Sequence, residues 1–264
     1  MPTDLSPLLG PIEQLVYQRL AFWPAAWEGY HWPGYTYEHT LRVRNLALAL
    51  ARRERADEGV VHLAALLHDI RKDTGKDHAR VGAEEALAIL DRCGVNGELR
   101  LRVCDAIARH AGDNTAASPV ENLCLGDADL IDANFGLVAA WRFITIRAGH
   151  DAPLSEIIAG MADWLPKKDA LLGGLHTRSG REIARQRAAR MHAFCEELSA
   201  QAPPPPANGH YRLLDLASHM HGARGGCFLT DQVAFVEDLA LRRPCEPLVP
   251  TTCRSLRLEI AGVH

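Results

Sequence analysis

Residues 60–69, VVHLAALLHD, are apolar at almost every position until His68 and Asp69 close the run. A helix with so little polar circumference leaves no face for water, so other elements must wrap it, and the pair at its end is carried into the interior. The rest of the chain agrees with that demand. It reads as helix after helix, with little of the alternation or β-branched clustering that marks strands, so the expected fold is all-α. Residues 37–52 set Leu41, Val43, Leu46, Leu48 and Leu50 among Arg42, Arg44 and Asn45, which predicts a buried helix with one polar side. His39 and Arg42, three apart, share that side. Two further helices are expected over 82–93 and 98–110, each followed by a glycine, Gly94 or Gly112, able to take the left-handed conformation that ends a helix. In the second, Val103, Ile107 and His110 lie on one stripe. Ser118, Pro119 and Glu121 have the spacing of a capping box that would start a helix carrying Asp127, Asp129 and Asp132.

With 264 residues, 47% of them hydrophobic, the chain can bury one sizeable core, assigned to residues 1–202. Pro203 to Pro206, followed by Ala207, Asn208 and Gly209, cannot continue a helix and read as a linker over 203–209. Residues 210–264 form a C-terminal extension of open role, with a helix expected near 231–241 and a strand at 255–260. A net charge of -4 gives no general attraction for nucleic acid or an anionic membrane, so a small-molecule partner held in a pocket is expected. The seven cysteines are odd in number and show no CxxC pair, which predicts buried thiols rather than a disulfide framework or zinc ribbon. The first residues have neither a basic segment nor a long apolar run, and no later stretch is long and charge-free enough to span a bilayer, so a cytoplasmic location is expected. The oligomeric state is not legible.

The chemistry is concentrated in four residues embedded in these helical repeats: His39, the doublet His68 and Asp69, and Asp129. Two imidazoles and two carboxylates can enclose one divalent cation and leave positions open for water and substrate. The assembly of cation, two neutral histidines and two aspartates is close to neutral, so a phosphate oxygen can approach it. The absence of thiolates leans away from structural zinc and towards Mn2+ or Fe2+, with Co2+, Ni2+ and Mg2+ as further candidates.

Several motifs in the same order resemble the HD-domain superfamily of metal-dependent phosphohydrolases, within it the bacterial branch of stand-alone nucleotide hydrolases. His39, Arg42 and Val43 match H-x-x-R-V, LLHDI matches the doublet, and DADLIDANFG is similar to the branch's DADRLDAxG. Arg142 falls where the branch has an arginine, and Thr177, Gly180, Arg181 and Ala184 match T-x-x-G-R-x-x-A. The resemblance covers most of residues 15–202. Arg71 stands where many members have glycine in HDIGK, although Lys72 is kept, and Leu130 replaces a common arginine.

What the resemblance implies is a helical-bundle phosphohydrolase acting on a nucleotide or related phosphate ester, with His39, His68, Asp69 and Asp129 as metal ligands. Lys72, His110 and Asp69 are the expected catalytic groups, and Arg42, Lys72, His78 and Arg142 the expected substrate contacts. Arg42 equally suits a role holding a ligand carboxylate, and Asp132 that of orienting a neighbour. His78 and Gly82 are similar to an H-x-x-x-G position of dinuclear members, so His78 and His110 offer a possible second metal site. Two alternatives stay open: a di-iron oxygenase, and a sensory or scaffolding module whose metal is structural.

Overall fold

A computed structural model of the chain describes residues 5–22, 34–201, 210–223, 228–242 and 244–262. The linker expected at 203–209 lies outside them. Among the described residues there are twelve α-helices and no strand. They are α1 (Ser6–Leu20), α2 (Tyr35–Glu54), α3 (Glu58–Leu67), α4 (His78–Arg92), α5 (Gly97–Arg109), α6 (Val120–Asn134), α7 (Leu137–Gly149), α8 (Leu154–Asp169), α9 (Arg178–Ala200), α10 (Leu213–Ala223), α11 (Leu229–Leu241) and α12 (Leu248–Ala261). No described helix is long and apolar enough to cross a membrane.

The apolar helix is the centre of the first core. Asp57 caps α3, accepting from the Gly59 and Val60 amides. From Val60 onwards the apolar residues of α3 are fully buried, packed among α1, α2, α4, α5, α6 and the first half of α9. A second core joins α7, α8 and the far half of α9 to α10, α11 and α12. The 23-residue helix α9 spans both, offering Ile183, Ala184 and Ala188 to the first and Met191, Phe194, Cys195 and Leu198 to the second.

Two local expectations need correction. Residues 255–260, expected as a strand, belong to helix α12. Leu256, Leu258 and Ile260 do alternate with polar residues, but the buried face is Val249, Thr252, Cys253, Leu256 and Glu259, a helical spacing, and Leu258 is exposed. The capping box also does not form. Pro119 occupies the cap position of α6, Ser118 Oγ accepts instead from the Thr115 amide, and Glu121 accepts from the Asp57 amide and from Arg102. The described residues of the segment 210–264 hold three helices where one was expected.

Candidate metal centre

Five helices and one short connection bring the sequence-predicted residues to a single interior point. His39 comes from the second turn of α2, His68 and Asp69 from the end of α3, His78 from the start of α4, His110 from the end of α5 and Asp129 from α6. Lys72 opens the kinked 3-10 connection Lys72–Asp77 between α3 and α4. His39, His68, Asp69 and His110 are buried, and Asp129 keeps a partly open side chain.

All four imidazoles are anchored through Nδ1 and aim Nε2 inward. His68, His78 and His110 donate Nδ1–H to the carbonyls of Ala65, Gly75 and Ile107, each three residues back, at 2.8, 2.7 and 2.7 Å. His39 donates Nδ1–H to Asp132 at 2.7 Å. Fixing the tautomer through the outer nitrogen leaves the inner lone pair of His68, His78 and His110 available to a ligand, and that of His39 once its Nε2 proton leaves. His39 Nε2 lies 3.0 Å from Asp129 Oδ1 and 3.8 Å from Asp69 Oδ2, and His68 Nε2 lies 3.6 and 3.9 Å from the same oxygens of Asp69 and Asp129.

Asp69 faces two ways. Its Oδ2 looks toward His39 and His68, and its Oδ1 accepts from Lys72 Nζ at 3.0 Å with His78 Nε2 at 3.5 Å and His110 Nε2 at 3.8 Å. His68 Nε2 and Asp69 Oδ2 are buried without a hydrogen-bond partner. Two electron-pair donors orphaned side by side in an apolar interior carry a desolvation cost that a cation removes. The ligand atoms of His39, His68 and Asp129, and those of His68, Asp69 and His110, lie within 4.8 Å of one another. The donor set, imidazole nitrogen with carboxylate oxygen, fits a divalent first-row cation such as Mn2+ or Fe2+.

The charges of the cluster depend on one another. Burial works to lower the His39 pKa, but the Asp129 and Asp132 carboxylates on its two ring nitrogens raise it to about 10. Burial works to raise Asp69, Asp129 and Asp132, yet the cations around each hold them well below the usual carboxylate range. For Lys72 the loss of water is outweighed by Asp69 and Asp129, which raise its pKa and keep it an ammonium. Burial dominates at His68, His78 and His110, and lowers all three.

The remaining expected residues sit at graded distances from the cluster. Arg42, 2% exposed, forks onto Asp132 through Nε at 2.9 Å and Nη2 at 3.0 Å, behind His39 rather than at the mouth. Asp132 orients His39. Arg142 lies over the Tyr35 ring at 5.2 Å, and the same ring meets the Arg42 guanidinium at 5.6 Å and the parallel His39 imidazole at 5.8 Å. Asp127 serves architecture, accepting from the His176 and Thr177 amides and from Thr177 Oγ1. Thr177 in turn caps α9 through the Gly180 amide, and a side chain at position 180 would collide with both Asp127 and Thr177. The T-x-x-G motif therefore docks α9 on α6. Arg181 and Arg185 are exposed, whereas Arg187 is 1% exposed and comes within 3.9 Å of Asp132.

A cavity of about 320 Å3 opens among the end of α6, α7 and α8; none of the candidate ligands lines it, and no sequence pattern disclosed it. Ala133, one turn beyond Asp129 on α6, lines it together with Arg142, Phe143, Arg147, Trp164 and Lys168. Trp164 stacks on Phe143 at 4.6 Å. Lys168 donates to the neutral Asn134 amide oxygen, and neither Lys168 nor Arg142 has a described carboxylate in ion-pair range. Burial and then the charge of Arg142 push the Lys168 pKa down to about 8.

Comparison with known proteins agrees with this geometry. The HD domain family matches residues 36–134, which contain all the candidate ligands. The uncharacterized protein YpgQ of Bacillus subtilis is 28% identical over 175 residues, covering 64% of this chain and 85% of its own. The YpgQ crystal structure superposes with a TM-score of 0.58 at 22% identity, over 76% of this chain and 99% of that one, and YpgQ has also been solved in complex with ADP. An HD-superfamily hydrolase from Bacillus thuringiensis gives a TM-score of 0.57 at 19% identity, over 77% and 100% of the two chains. Residues 36–134, the segment that brings His39, His68, Asp69 and Asp129 together within the all-α fold, thus match an HD domain.

Proposed function

We propose that this chain is a metal-dependent phosphohydrolase acting on a nucleotide or related phosphate ester. The observation that carries the reading is the meeting of inward-facing imidazole nitrogens and two carboxylates at one buried point, with His68 Nε2 and Asp69 Oδ2 unsatisfied. His39, His68, Asp69 and Asp129 would hold the cation. A divalent cation in such a site lowers the pKa of a bound water from about 16 towards about 7 and polarises a phosphoryl oxygen as a Lewis acid.

The protein's own groups supply the rest. Asp132 fixes His39, and Arg42 fixes Asp132. Lys72 places an ammonium beside Asp69 with a fifth of its side chain exposed, where it can meet a phosphate oxygen. His78 and His110 bring their Nε2 atoms to 3.2 Å, with both Nδ1 atoms already donating outward. His110 is thus placed to give a proton to the leaving oxygen. Arg142 and Lys168, half-buried cations with no described carboxylate partner, favour an anionic substrate, and the Trp164 and Phe143 rings beside them favour one with a flat ring. The ADP complex of YpgQ supports a nucleotide as the first compound to try. The direct test is a screen of nucleotides and phosphodiesters for hydrolysis with Mn2+ and with chelator. Cleavage of none of them in the presence of Mn2+ would remove the reading.

A dinuclear centre using His78 and His110 fits less well. The Lys72 ammonium lies 3.0 Å from Asp69 Oδ1 and 3.4 Å from His78 Nε2, so a positive charge already occupies the second position. His110→Ala is therefore expected to keep one metal per chain while slowing turnover about 100-fold, the usual loss for a positioned acid. Two iron atoms per parent chain, with a lower count in His110→Ala and His78→Ala, would favour an oxygenase instead.

Metal uptake should also depend on pH in a defined direction. Without a cation His39 holds its Nε2 proton up to about pH 10, and a metal ligand must release it. Between pH 7 and 9 the affinity for Mn2+ is expected to rise about tenfold per pH unit, one proton leaving for each ion bound. Competition with a metal-binding dye at each pH measures this. A flat profile would exclude His39 Nε2 as a ligand.

A further inference from the structure

The cavity among α6, α7 and α8 gathers positive charge. Arg142, Arg147 and Lys168 stand in its wall, and among the described residues no acidic side chain does. Arg147 is matched by Glu156 at 3.1 Å. Arg142 has no such partner: among the described residues it makes one long hydrogen bond, 3.4 Å to the Ala133 carbonyl, and its Nε is buried with no acceptor. Lys168 donates at 2.7 Å to a neutral group, the Asn134 amide oxygen, while the adjacent Asp169 is engaged by His192 of α9 at 2.9 Å.

Two like charges drawn together out of water repel each other, and Lys168 shows the effect: burial first and the Arg142 charge second bring its pKa down to about 8. A buried guanidinium nitrogen without an acceptor adds a further cost. An anion held between the two groups relieves both. The rest of the wall is aromatic, with Trp164 and Phe143 stacked 25° from parallel and the Lys168 ammonium 5.6 Å from the Trp164 ring. At about 320 Å3 the space is near the lower end of small-molecule sites, enough for one ring system and one charged group.

We propose that this cavity is a binding site in its own right for an anion carrying a flat ring, of the nucleoside monophosphate class, with Arg142 and Lys168 on the anionic group and Trp164 on the ring. None of His39, His68, Asp69 and Asp129 lines it, so the inference stands or falls separately from the metal reading. The same chemistry has two sources, the nucleoside monophosphate portion of a longer substrate or a separate molecule.

Isothermal titration of the full chain in chelator, where no metal-dependent hydrolysis consumes the probe, tests the site with adenosine monophosphate, adenosine and ribose 5-phosphate. Adenosine monophosphate is expected to bind about tenfold or more tightly than either of the others, one lacking the charge and the other the ring. Lys168→Met should weaken it about tenfold and Trp164→Leu about fivefold, with circular dichroism like that of the parent. The parent should also lose about tenfold in affinity from pH 7 to pH 9, because the phosphate favours the Lys168 ammonium, which gives up its proton above about pH 8. Lys168→Arg should bind with a flat profile. Adenosine monophosphate that binds no better than the two partial probes, parent-like binding in Lys168→Met or Trp164→Leu, or a parent profile flat to pH 9 would overturn the inference. Steady-state kinetics with Mn2+ then identify the source. A raised KM with unchanged kcat in Lys168→Met assigns the site to the substrate, an unchanged KM to a separate molecule, and the site itself stands in both cases.

Discussion

Asp69→Ala is expected to lose both metal and hydrolysis while the protein stays helical. Asp69 is the one residue whose two oxygens face both halves of the cluster, Oδ2 toward His39 and His68 and Oδ1 toward Lys72, His78 and His110. Without it the proposed cation loses a ligand and one of its two neutralising charges. Loss of the Lewis acid removes several kcal/mol of transition-state stabilisation, a fall in rate on the order of 1000-fold or more. The helix survives because α3 ends at Leu67 and is fixed by its buried leucines and alanines, one residue before the doublet begins. His68→Ala should behave alike, since His68 follows the same helix end. Elemental analysis of either variant that returned one metal per chain would sink the ligand assignment.

The second large effect belongs to Lys72. Lys72→Ala should keep one metal per chain, because Lys72 hydrogen-bonds Asp69 Oδ1, whereas the other oxygen, Oδ2, is the one that meets His39 and His68, with Asp129 beside them. It should nevertheless lower kcat about 30- to 1000-fold, corresponding to about 2–4 kcal/mol of electrostatic stabilisation in a water-poor site. Steady-state kinetics at saturating Mn2+ measure this. Unchanged turnover would reduce Lys72 to a counter-charge for Asp69.

The sequence disclosed the centre of this fold through two local signals. The apolar run of α3 required a wrapped helix, and His68 and Asp69 at its end required an interior destination. Asp132 stood out for its spacing from Asp129, and its contact with His39 Nδ1 has the geometry of an orienting group. Arg187 and Glu259 gave no comparable signal. Each looks like one more charge on an amphipathic helix, and only the packing of α12 against α7 and α9, far along the chain, buries them. The cavity walls Trp164 and Lys168 were hidden for the same reason, since α8 meets the end of α6 only in three dimensions. The misread strand at 255–260 has a subtler origin: Leu256, Leu258 and Ile260 alternate as a strand does, and the buried Glu259 that reveals the helical face is apolar by position but not by type.

One titration tests the central claim most directly. Metal-free chain, held above its dissociation constant for Mn2+, receives the ion in fractions of an equivalent while phosphate or pyrophosphate release from a hydrolysable nucleotide is followed. The account predicts no release at zero metal, a linear rise, and a break at one equivalent set by His39, His68, Asp69 and Asp129. Hydrolysis without metal, none at any ratio, or a break at two equivalents would contradict it.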